Sequence, residues 1–372
     1  MPLVEDLWWD GVRAVSGRST VSAALAALGT SRFDEVLAVG KAASAMVLGA
    51  RERLERICPT LVVTKPDHGV AALRDLLDVE IIEAGHPVPN ERSLHAGNRL
   101  LERVQAAPKD ARVLLLISGG ASALAERLVP GMSLLELQRR TEELVASGLD
   151  IHAINEARRQ WSLLKGGRLL RAFRGAELRV LAISDVEGDD LTVIGSGLGD
   201  CRGSIARSRG AVIASNADAR RAVVASATRH ALPVRYSEES LYGNVRAVAT
   251  TLAQVIADGP SGLYIAGGET TVELPPDPGR GGRNQSLALA LALELAHRDV
   301  DAEFVAAGTD GTDGPTHAAG GVISTRHFDA EQPAHTALAG ADAGTYLANR
   351  GALFVTGPTD TNVMDLCVCL KR

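Results

Sequence analysis

Short apolar runs alternate along the chain with longer stretches in which apolar residues recur at helical spacing. In the first part of the chain, the apolar runs predict strands at Glu35–Gly40, Thr60–Thr64, Val79–Glu83, Arg112–Ser118, Arg179–Ser184 and Ala211–Ser215. The stretches with helical spacing are Lys41–Ile57, Glu91–Ala106, Ser133–Ser147 and Ile154–Arg174. Strands and helices in alternation predict an α/β fold with a mostly parallel sheet and helices on both of its faces.

A second series of elements follows in the last third of the chain. It comprises a helix at Glu239–Ala257, a strand at Leu263–Ala266, a helix at Asn284–His297, a strand at Glu303–Ala307 and a strand pair near Ala352–Thr356 and Leu366–Leu370. The chain has 372 residues, and a single core rarely grows beyond ~250–300 residues, so two domains are expected. We predict the boundary near Leu232–Pro233, with domains at 1–232 and 233–372.

Composition excludes several classes of protein. The net charge is −6 and no basic stripe is present, which argues against nucleic acid as a partner. No apolar run approaches the ~18–20 residues of a membrane span, and Glu5 and Asp6 stand where a signal peptide would carry Lys or Arg. The cysteines form no CxxC pair, so we expect reduced thiols and a cytoplasmic location. A homo-oligomer is compatible with the sequence.

Glycine-rich turns follow most of the predicted strands. They lie at 39–43, 118–122, 183–190, 267–270, 307–315 and 356–362. Such turns expose backbone N–H groups at the positive end of a helix, where anions bind, and ligands collect at the carboxyl ends of strands in open α/β sheets. Any one of them could be a plain tight turn, but their recurrence favours a binding site for small anionic molecules.

Some of these turns carry side chains suited to phosphate and metal chemistry. Lys41 follows the first strand and could reach a phosphate or carboxylate, although a solvated lysine is the alternative. The run Ser184–Asp190 offers Asp185 and Asp189 to Mg²⁺, which prefers one or two carboxylates with water and phosphate oxygens. Asp310 is a competing metal ligand. Arg283, after paired glycines at a predicted helix start, could grip an anion.

Two further segments are less easily explained as structure alone. Arg158 and Lys165 stand two helical turns apart and thus on one face of the predicted helix, which paired glycines then interrupt. A charged amphipathic helix is the alternative explanation. His86 lies in the rigid turn Gly85–Asn90, and we expect its ring to pack or cap and not to act in catalysis.

Taken together, these segments resemble those of a known family, the type 2 glycerate kinases with a MOFRL-type C-terminal domain. The segments that match the family pattern, in the family's order, are VGKAASAM, VVTKPDHG, AGHPVPNERS, SGGASAL, INEARRQWSLLKGGRLL, ISDVEGDD, GGETTVEL, GRGGRNQ, GTDGTDGPTHAAGG and TGPTDTNVMDL. They run from Val39 to Leu366, nearly the whole chain. No single segment is decisive, whereas the ordered set is highly specific.

The resemblance implies an ATP-dependent phosphoryl transfer to the 2-hydroxyl of D-glycerate. It also implies a Rossmann-like N-terminal domain, a smaller α/β C-terminal domain and an active site in the cleft between them. The chain departs from the family pattern at Ala121, at the shortened segment Gly195–Asp200, at Gln160 where a histidine is usual and at Asp360 where a glycine is usual. These departures leave the phosphate-handling segments intact, so we expect the acceptor to differ more than the reaction.

We assign roles to residues on this basis. Lys41 and Arg283, one from each domain, would neutralise charge on the transferring phosphoryl group, so that cleft closure assembles the site. Asp185 is the third catalytic candidate; Asp185, Asp189 and Asp310 are the candidate Mg²⁺ ligands. Arg158 and Lys165 would hold the carboxylate of the acceptor. The predicted phosphate- and nucleotide-binding residues are Gly40, Ser118, Gly119, Gly120, Ser122, Gly268, Glu269, Asn284 and Thr309.

Two other classes of function remain as alternatives. An NAD(P)H-dependent hydroxypyruvate reductase would carry GxGxxG after the first strand, but the chain reads GKAASA there. A non-catalytic sensor of small acids would keep the pocket without turnover. The persistence of Lys41, Asp185, Arg283 and Asp310 argues against a sensor.

Overall fold

A computed structural model describes residues 2–29, 32–146, 151–203, 207–328 and 332–372. Within them the strands are β1 (Glu35–Val39), β2 (Thr60–Thr64), β3 (Val79–Glu83), β4 (Arg112–Ile117), β5 (Glu177–Ile183), β6 (Arg207–Ala214), β7 (Val234–Asn244), β8 (Gly262–Thr271), β9 (Ala302–Gly308), β10 (Gly320–Ser324), β11 (Leu353–Phe354) and β12 (Asp365–Lys371). The helices are α1 (Pro2–Ala14), α2 (Gly17–Leu28), α3 (Ala43–Arg51), α4 (Ala71–Arg74), α5 (Glu91–Ala106), α6 (Ala121–Leu124), α7 (Leu134–Ala146), α8 (Ile151–Gln160), α9 (Arg168–Ala172), α10 (Asn216–Arg229), α11 (Val245–Asp258), α12 (Arg283–Ala296), α13 (Gln332–Ala339) and α14 (Ala343–Ala348). Short 3₁₀ turns lie at Glu187–Asp189, Ile194–Ser196 and Thr325–His327.

The first sheet contains six strands in the order β3-β2-β1-β4-β5-β6 among the described residues, and all of its pairs are parallel. This is the strand order of a doubly wound Rossmann sheet, and its direction of winding reverses between β1 and β4. Val39, the last residue of β1, pairs with Val63 of β2 and Ile117 of β4. The chain therefore leaves β1 and β4 side by side at the point where such folds bind ligands.

Continuous apolar runs build this first sheet because both of its faces are covered. On one face, Leu37 and Val63 pack with Leu100 of α5 and Leu170 of α9, all of them buried. Helices α2 and α3 pack against each other, and α3 lies against β1 and β2. The predicted parallel sheet is confirmed.

The second sheet also contains six strands in the described part of the chain, in the order β11-β10-β9-β12-β8-β7. Only the pair of β7 and β8 is parallel there, and the remaining pairs are antiparallel. Its two faces carry separate cores. Leu287 and Phe304 belong to the core shared with α11 and α12, whereas Trp8 of α1 and Val223 of α10 pack with Val305 on the other face.

Two compact units result. The N-terminal unit is Ser16–Ser215 with Asp360–Asn362, and the C-terminal unit is the chain up to Val15, Asn216–Thr359 and Val363–Arg372. The units differ from the predicted domains in α1 and α10, because both helices bury apolar residues against the second sheet. As a division of the sequence, the boundary near Leu232–Pro233 stays a prediction.

The structure corrects several predicted elements. The predicted helix at Ile154–Arg174 is interrupted after Gln160, and a short helix resumes only at Arg168, because Gly166 and Gly167 have positive φ. The predicted helix from Glu239 begins at Val245, since the preceding residues extend β7 as a strand. The two last strands do not pair: β11 pairs with β10, and β12 lies between β9 and β8. Ser147, the predicted end of a helix, lies outside the described residues.

Candidate active site

Lys41 lies at the switch point of the parallel sheet, in the turn between β1 and α3. Its backbone N–H donates to the carbonyl of Gly119 at 2.9 Å, which ties the turn after β1 to the turn after β4. A Cβ placed on Gly120 would lie 3.0 Å from the ring of His86 and 3.4 Å from Cγ of Lys41. The lysine and the histidine thus cover the same glycine turn, and His86 joins this edge of the sheet.

Gly40 and Ser118 make the close approach of the two turns possible. Gly40 has φ of +133°, and a Cβ there would overlap the side chain of Ser118. The hydroxyl of Ser118 is fully buried and accepts a hydrogen bond from the amide of Ala42 at 3.0 Å. This contact gives Ser118 a structural role at the start of α3, and its contact with a ligand oxygen stays a prediction.

Asp185 follows β5 and lies beside the glycine turn of β4. Asn362 Nδ2 donates to Asp185 Oδ2 at 3.3 Å, and a Cβ on Gly119 would overlap both groups. Gly119 is therefore required by close packing around this carboxylate. Asn362 reaches the N-terminal unit from the segment Asp360–Asn362, which is far away in sequence.

The predicted metal ligands do not form a dense carboxylate cluster. Among the described residues, no group of three or more His, Cys, Asp and Glu side chains is arranged to hold a metal ion. Asp189 lies in the 3₁₀ turn after β5 with φ of +54°. In the C-terminal unit, Asp310 Oδ1 accepts bonds from the amide and hydroxyl of Thr312, at 2.9 and 3.1 Å. Asp310 therefore shapes its own turn.

The two predicted acceptor-binding cations meet a buried carboxylate. Lys165 Nζ binds Glu126 Oε2 at 2.5 Å, with the two side chains 2% and 0% exposed. Burial lowers the pKa of Lys165, and the Glu126 carboxylate opposes that shift. Burial likewise lowers the pKa of Arg158, with Glu126 again opposing. The carboxylate that Lys165 binds in the structure is therefore one of the chain's own, and its role in holding the acceptor carboxylate stays a prediction.

Ser122, at the start of the short helix after β4, shares a hydrogen bond with another hydroxyl. Its Oγ lies 2.9 Å from Oγ of Ser196, a residue with φ of +58° in the segment where the chain departs from the family pattern. Each hydroxyl keeps further capacity to donate or accept. Ser122 therefore stays a candidate for binding a ligand oxygen.

In the C-terminal unit, Arg283 lies between two carboxylates. Its Nη1 forms an ion pair with Glu269, and its Nη2 lies 3.8 Å from Oδ1 of Asp365. The side chains of Arg283 and Glu269 are each 42% exposed, whereas that of Asp365 is 3% exposed. Burial raises the pKa of Asp365 to about 7, against the opposing charge of Arg283.

The start of α12 is already occupied by an anion of the chain. Asp313 accepts hydrogen bonds from the backbone amides of Asn284 at 3.0 Å and Gln285 at 2.8 Å. The side-chain amide of Asn284 donates to Asp365 Oδ1 at 2.8 Å. Asn284 is thus a buried support for Asp365, and its role as a phosphate ligand stays a prediction.

Thr309 and Gly268 also serve the backbone. Thr309 Oγ1 donates to the carbonyl of Met364 at 2.6 Å and accepts from the amide of Val363 at 2.8 Å. These bonds hold the turn after β9 to the start of β12, and the nucleotide contact of Thr309 stays a prediction. Gly268 has φ of +129°, and a Cβ there would lie 3.1 Å from backbone atoms of Leu241 in β7.

Sequence reasoning missed Asn362 and Asp365 and assigned His86 no place at the site. Asn362 stands in the last glycine-rich turn, so its position among the strand-end turns was a usable signal. Asp365 opens a strand that reads as purely apolar, where a carboxylate conflicts with the pattern. A buried charge at such a position is a signal in itself, because it needs a partner.

The sequence and the structure were both compared with those of known proteins. The model of a domain of unknown function, DUF4147, matches residues 3–230, and the MOFRL family model matches residues 262–365. A D-glycerate 2-kinase of Thermotoga maritima is 36% identical, with 90% of each chain covered. The chain belongs to the glycerate 2-kinase family. The resemblance inferred from the ordered motifs is thereby confirmed.

Further glycerate 2-kinase relatives agree in sequence and in structure. A glycerate 2-kinase of Pyrococcus horikoshii is 31% identical, covering 90% of this chain and 86% of its own. The crystal structure of a glycerate kinase from Thermotoga maritima superposes with a TM-score of 0.83 at 31% identity, covering 99% of this chain and 98% of that one. None of the described helices has the length and apolar character needed to cross a membrane.

Proposed function

We propose that this protein is a glycerate 2-kinase, which transfers the γ-phosphoryl group of ATP to the 2-hydroxyl of D-glycerate or a related small hydroxy acid. In the reaction, the hydroxyl oxygen bonds to the γ-phosphorus, the bond to ADP breaks, and the hydroxyl proton is released. The proposal rests on the placement of Lys41, Gly119 and Asp185 in the turns that follow β1, β4 and β5, at the carboxyl edge of a Rossmann sheet. It rests equally on the family membership.

The N-terminal unit supplies a cation and close backbone approach at this edge. Lys41 would neutralise negative charge that builds on the substrates during transfer, which is the main task in phosphoryl-transfer catalysis. Gly119 lets the backbone approach the Asp185 carboxylate and the Asn362 amide closely, and Gly120 does the same for His86 and Lys41. In the C-terminal unit, Arg283 would stabilise negative charge in the same reaction, through the planar fork of its guanidinium.

The residues present fit Mg²⁺ as the companion of ATP. Mg²⁺ usually keeps several waters and binds through one or two carboxylates plus phosphate oxygens, so the carboxylate of Asp185, which Asn362 Nδ2 holds by a hydrogen bond, would meet the minimum of one protein carboxylate. When bound, the ion would neutralise charge on the phosphates. Asp189 and Asp310 remain as alternative ligands.

The thiols Cys58, Cys367 and Cys369 are free and buried, which supports our proposal of a cytoplasmic protein.

Nucleotide binding tests the proposal against the reductase alternative. Saturating Mg-ADP, at about 100 times its Kd, should raise the free energy of unfolding by about 2.7 kcal/mol. NADH should leave it unchanged, because the GxGxxG turn is replaced by GKAASA. The measurement is thermal unfolding with each nucleotide. Stabilisation by NADH without stabilisation by Mg-ADP would overturn the kinase proposal.

The acceptor is tested through Asp360, which stands where the family pattern has glycine. Asp360 is exposed and has φ of +64°, a conformation that glycine adopts without strain. Its carboxylate lies in the same short segment as Asn362, so we expect it to repel an acidic acceptor. D-Glycerate should be phosphorylated slowly, and Asp360→Gly should raise kcat/KM for it by about 3- to 10-fold.

A matched control for this change is Asp299→Gly. Asp299 is exposed with φ of +53° but precedes β9, at the opposite end of that strand from its glycine-rich turn, so its replacement should leave kcat/KM unchanged. Steady-state assays on the three proteins decide the question. Fast wild-type turnover of D-glycerate that Asp360→Gly leaves unimproved would show that the charge at position 360 is neutral for the acceptor.

A further inference from the structure

Asp365 is a buried carboxylate with one oxygen bound and the other without a partner. It opens β12, where it pairs with Gly268 and Gly308 of the neighbouring strands. Its Oδ1 accepts from Asn284 at 2.8 Å, while Oδ2 is buried and has no hydrogen-bond partner among the described residues. A buried carboxylate oxygen without a hydrogen-bond partner destabilises the folded state unless a donor or a proton binds it.

Arg283 carries the complementary unpartnered atom. Its Nε is buried without a hydrogen-bond partner in the described part of the chain, while Nη2 lies 3.8 Å from Asp365 Oδ1. A guanidinium and a carboxylate readily make two parallel hydrogen bonds. Such a contact requires four atoms, which here are Nε and Nη2 of Arg283 and the two carboxylate oxygens of Asp365. In the structure, Arg283 instead binds the half-exposed Glu269 through Nη1.

The charges around Arg283 show why the second contact matters. The groups that face Asp365 are Arg283 on α12, Glu269 on β8 and Asp313 in the turn after β9. Glu269 neutralises the outer side of the guanidinium. An anionic substrate group that binds Arg283 there would have to displace Glu269. An exposed carboxylate can move into water when this happens, whereas the buried Asp365 cannot.

We propose that Asp365 is a positioning residue for Arg283: when an anionic substrate group displaces Glu269, Asp365 holds the guanidinium through a two-bond contact and fixes its direction. The inference rests on the proposed role of Arg283 in glycerate 2-kinase activity. It adds to that role a buried partner that sets the geometry of the arginine without touching substrate.

Asp365→Asn tests the proposal because asparagine keeps the volume and the carbonyl oxygen but cannot make the charged two-bond contact. We expect kcat on D-glycerate to fall at least ~10-fold, as misplacement of a catalytic group does, while KM for ATP and D-glycerate stays within about threefold. Glu294→Gln is the matched control. It removes a carboxylate paired with Arg298 at the other end of α12 and should leave kcat unchanged.

Thermal unfolding separates positioning from a merely structural role. Because burial raises the pKa of Asp365 to about 7, above the ~3.9 of an unfolded aspartate, the folded protein holds a proton that the unfolded chain releases between those values. The stability of wild type should therefore decline as pH rises from about 4 to about 7. Asp365→Asn should remove that decline and melt no lower than wild type at pH 8, despite its lost activity.

The double variant Arg283→Met/Asp365→Asn shows whether Asp365 acts through Arg283. If it does, the double variant should be no slower than Arg283→Met alone, within about twofold, since the two changes remove one function. Losses that multiply would overturn the proposal. So would wild-type kcat in Asp365→Asn, or a fall in kcat that follows a lower melting temperature at pH 8.

A readout without turnover distinguishes this proposal from the proposed function. In Glu269→Gln, which releases the outer side of the guanidinium, the Nε–H of Arg283 should be rigid by ¹⁵N relaxation on arginine-labelled protein. In Glu269→Gln/Asp365→Asn it should become mobile. Equal mobility in both would overturn the positioning role. A wild type that transfers no phosphoryl group to D-glycerate, with rigid Nε–H retained, would instead refute the proposed function alone.

Discussion

Replacement of either Lys41 or Arg283 by methionine is expected to lower kcat on D-glycerate at least ~100-fold, the effect of losing one preorganised charge donor. The change in melting temperature should be small. Lys41 is only partly buried and the side chain of Arg283 is 42% exposed, so neither side chain is enclosed in a core. The measurement pairs steady-state kinetics with thermal unfolding for each variant.

The control is Lys109→Met, the same change at an exposed position before β4. It should leave both kcat and the melting temperature as in wild type. Arg283→Lys adds a finer test, since lysine keeps the charge and loses the planar fork, and we expect it to recover only a small part of the activity. If a methionine variant unfolds or keeps near-normal turnover, that residue has been assigned the wrong role.

Removal of one partner from the buried pair Glu126–Lys165 is expected to lower the free energy of unfolding by about 3–5 kcal/mol. Glu126→Ala would leave the ammonium of Lys165 in a site where the side chain is 2% exposed, beside the further positive charge of Arg158. An uncompensated charge in such surroundings is poorly solvated. Urea unfolding of wild type and variant measures the loss.

Two companions make this test specific. Glu126→Gln/Lys165→Met removes the buried ammonium together with its partner and should recover part of the stability, although Arg158 still loses the opposing charge of Glu126. Glu143→Ala breaks the pair with Arg139 on α7, whose side chains are 59% and 60% exposed, and should cost less than about 1 kcal/mol. A loss below ~1 kcal/mol for Glu126→Ala would show that Lys165 can reach water or another partner.

The first sheet was predictable from sequence because its strands are apolar on both faces. A run such as Thr60–Thr64, fully buried in the structure, contrasts sharply with the helices on either side. The second sheet was less predictable. Strand β7 is mostly polar at the sheet edge, and its end was taken for a helix. The insertion of β12 between β9 and β8 depends on pairing across the whole unit, which local periodicity does not encode.

The sequence predicted which strand ends carry the candidate site residues, but it did not predict which side chains these residues contact. Lys41, Asp185 and Arg283 carry chemistry that glycine turns alone would not explain, so sequence marked them as candidates. It could not show that Lys165 would bind Glu126, since partners for a buried charge are fixed by tertiary packing. The same holds for Ser118, Asn284 and Thr309, whose polar groups satisfy backbone or buried carboxylates nearby.

The most direct test of glycerate 2-kinase activity is the identity of the product. The protein is incubated with Mg-ATP and saturating D-glycerate and followed by ³¹P NMR. We expect loss of the γ-phosphorus signal of ATP with matching appearance of ADP and 2-phosphoglycerate. Unchanged ATP, together with NADH-dependent reduction of hydroxypyruvate by the same preparation, would contradict it.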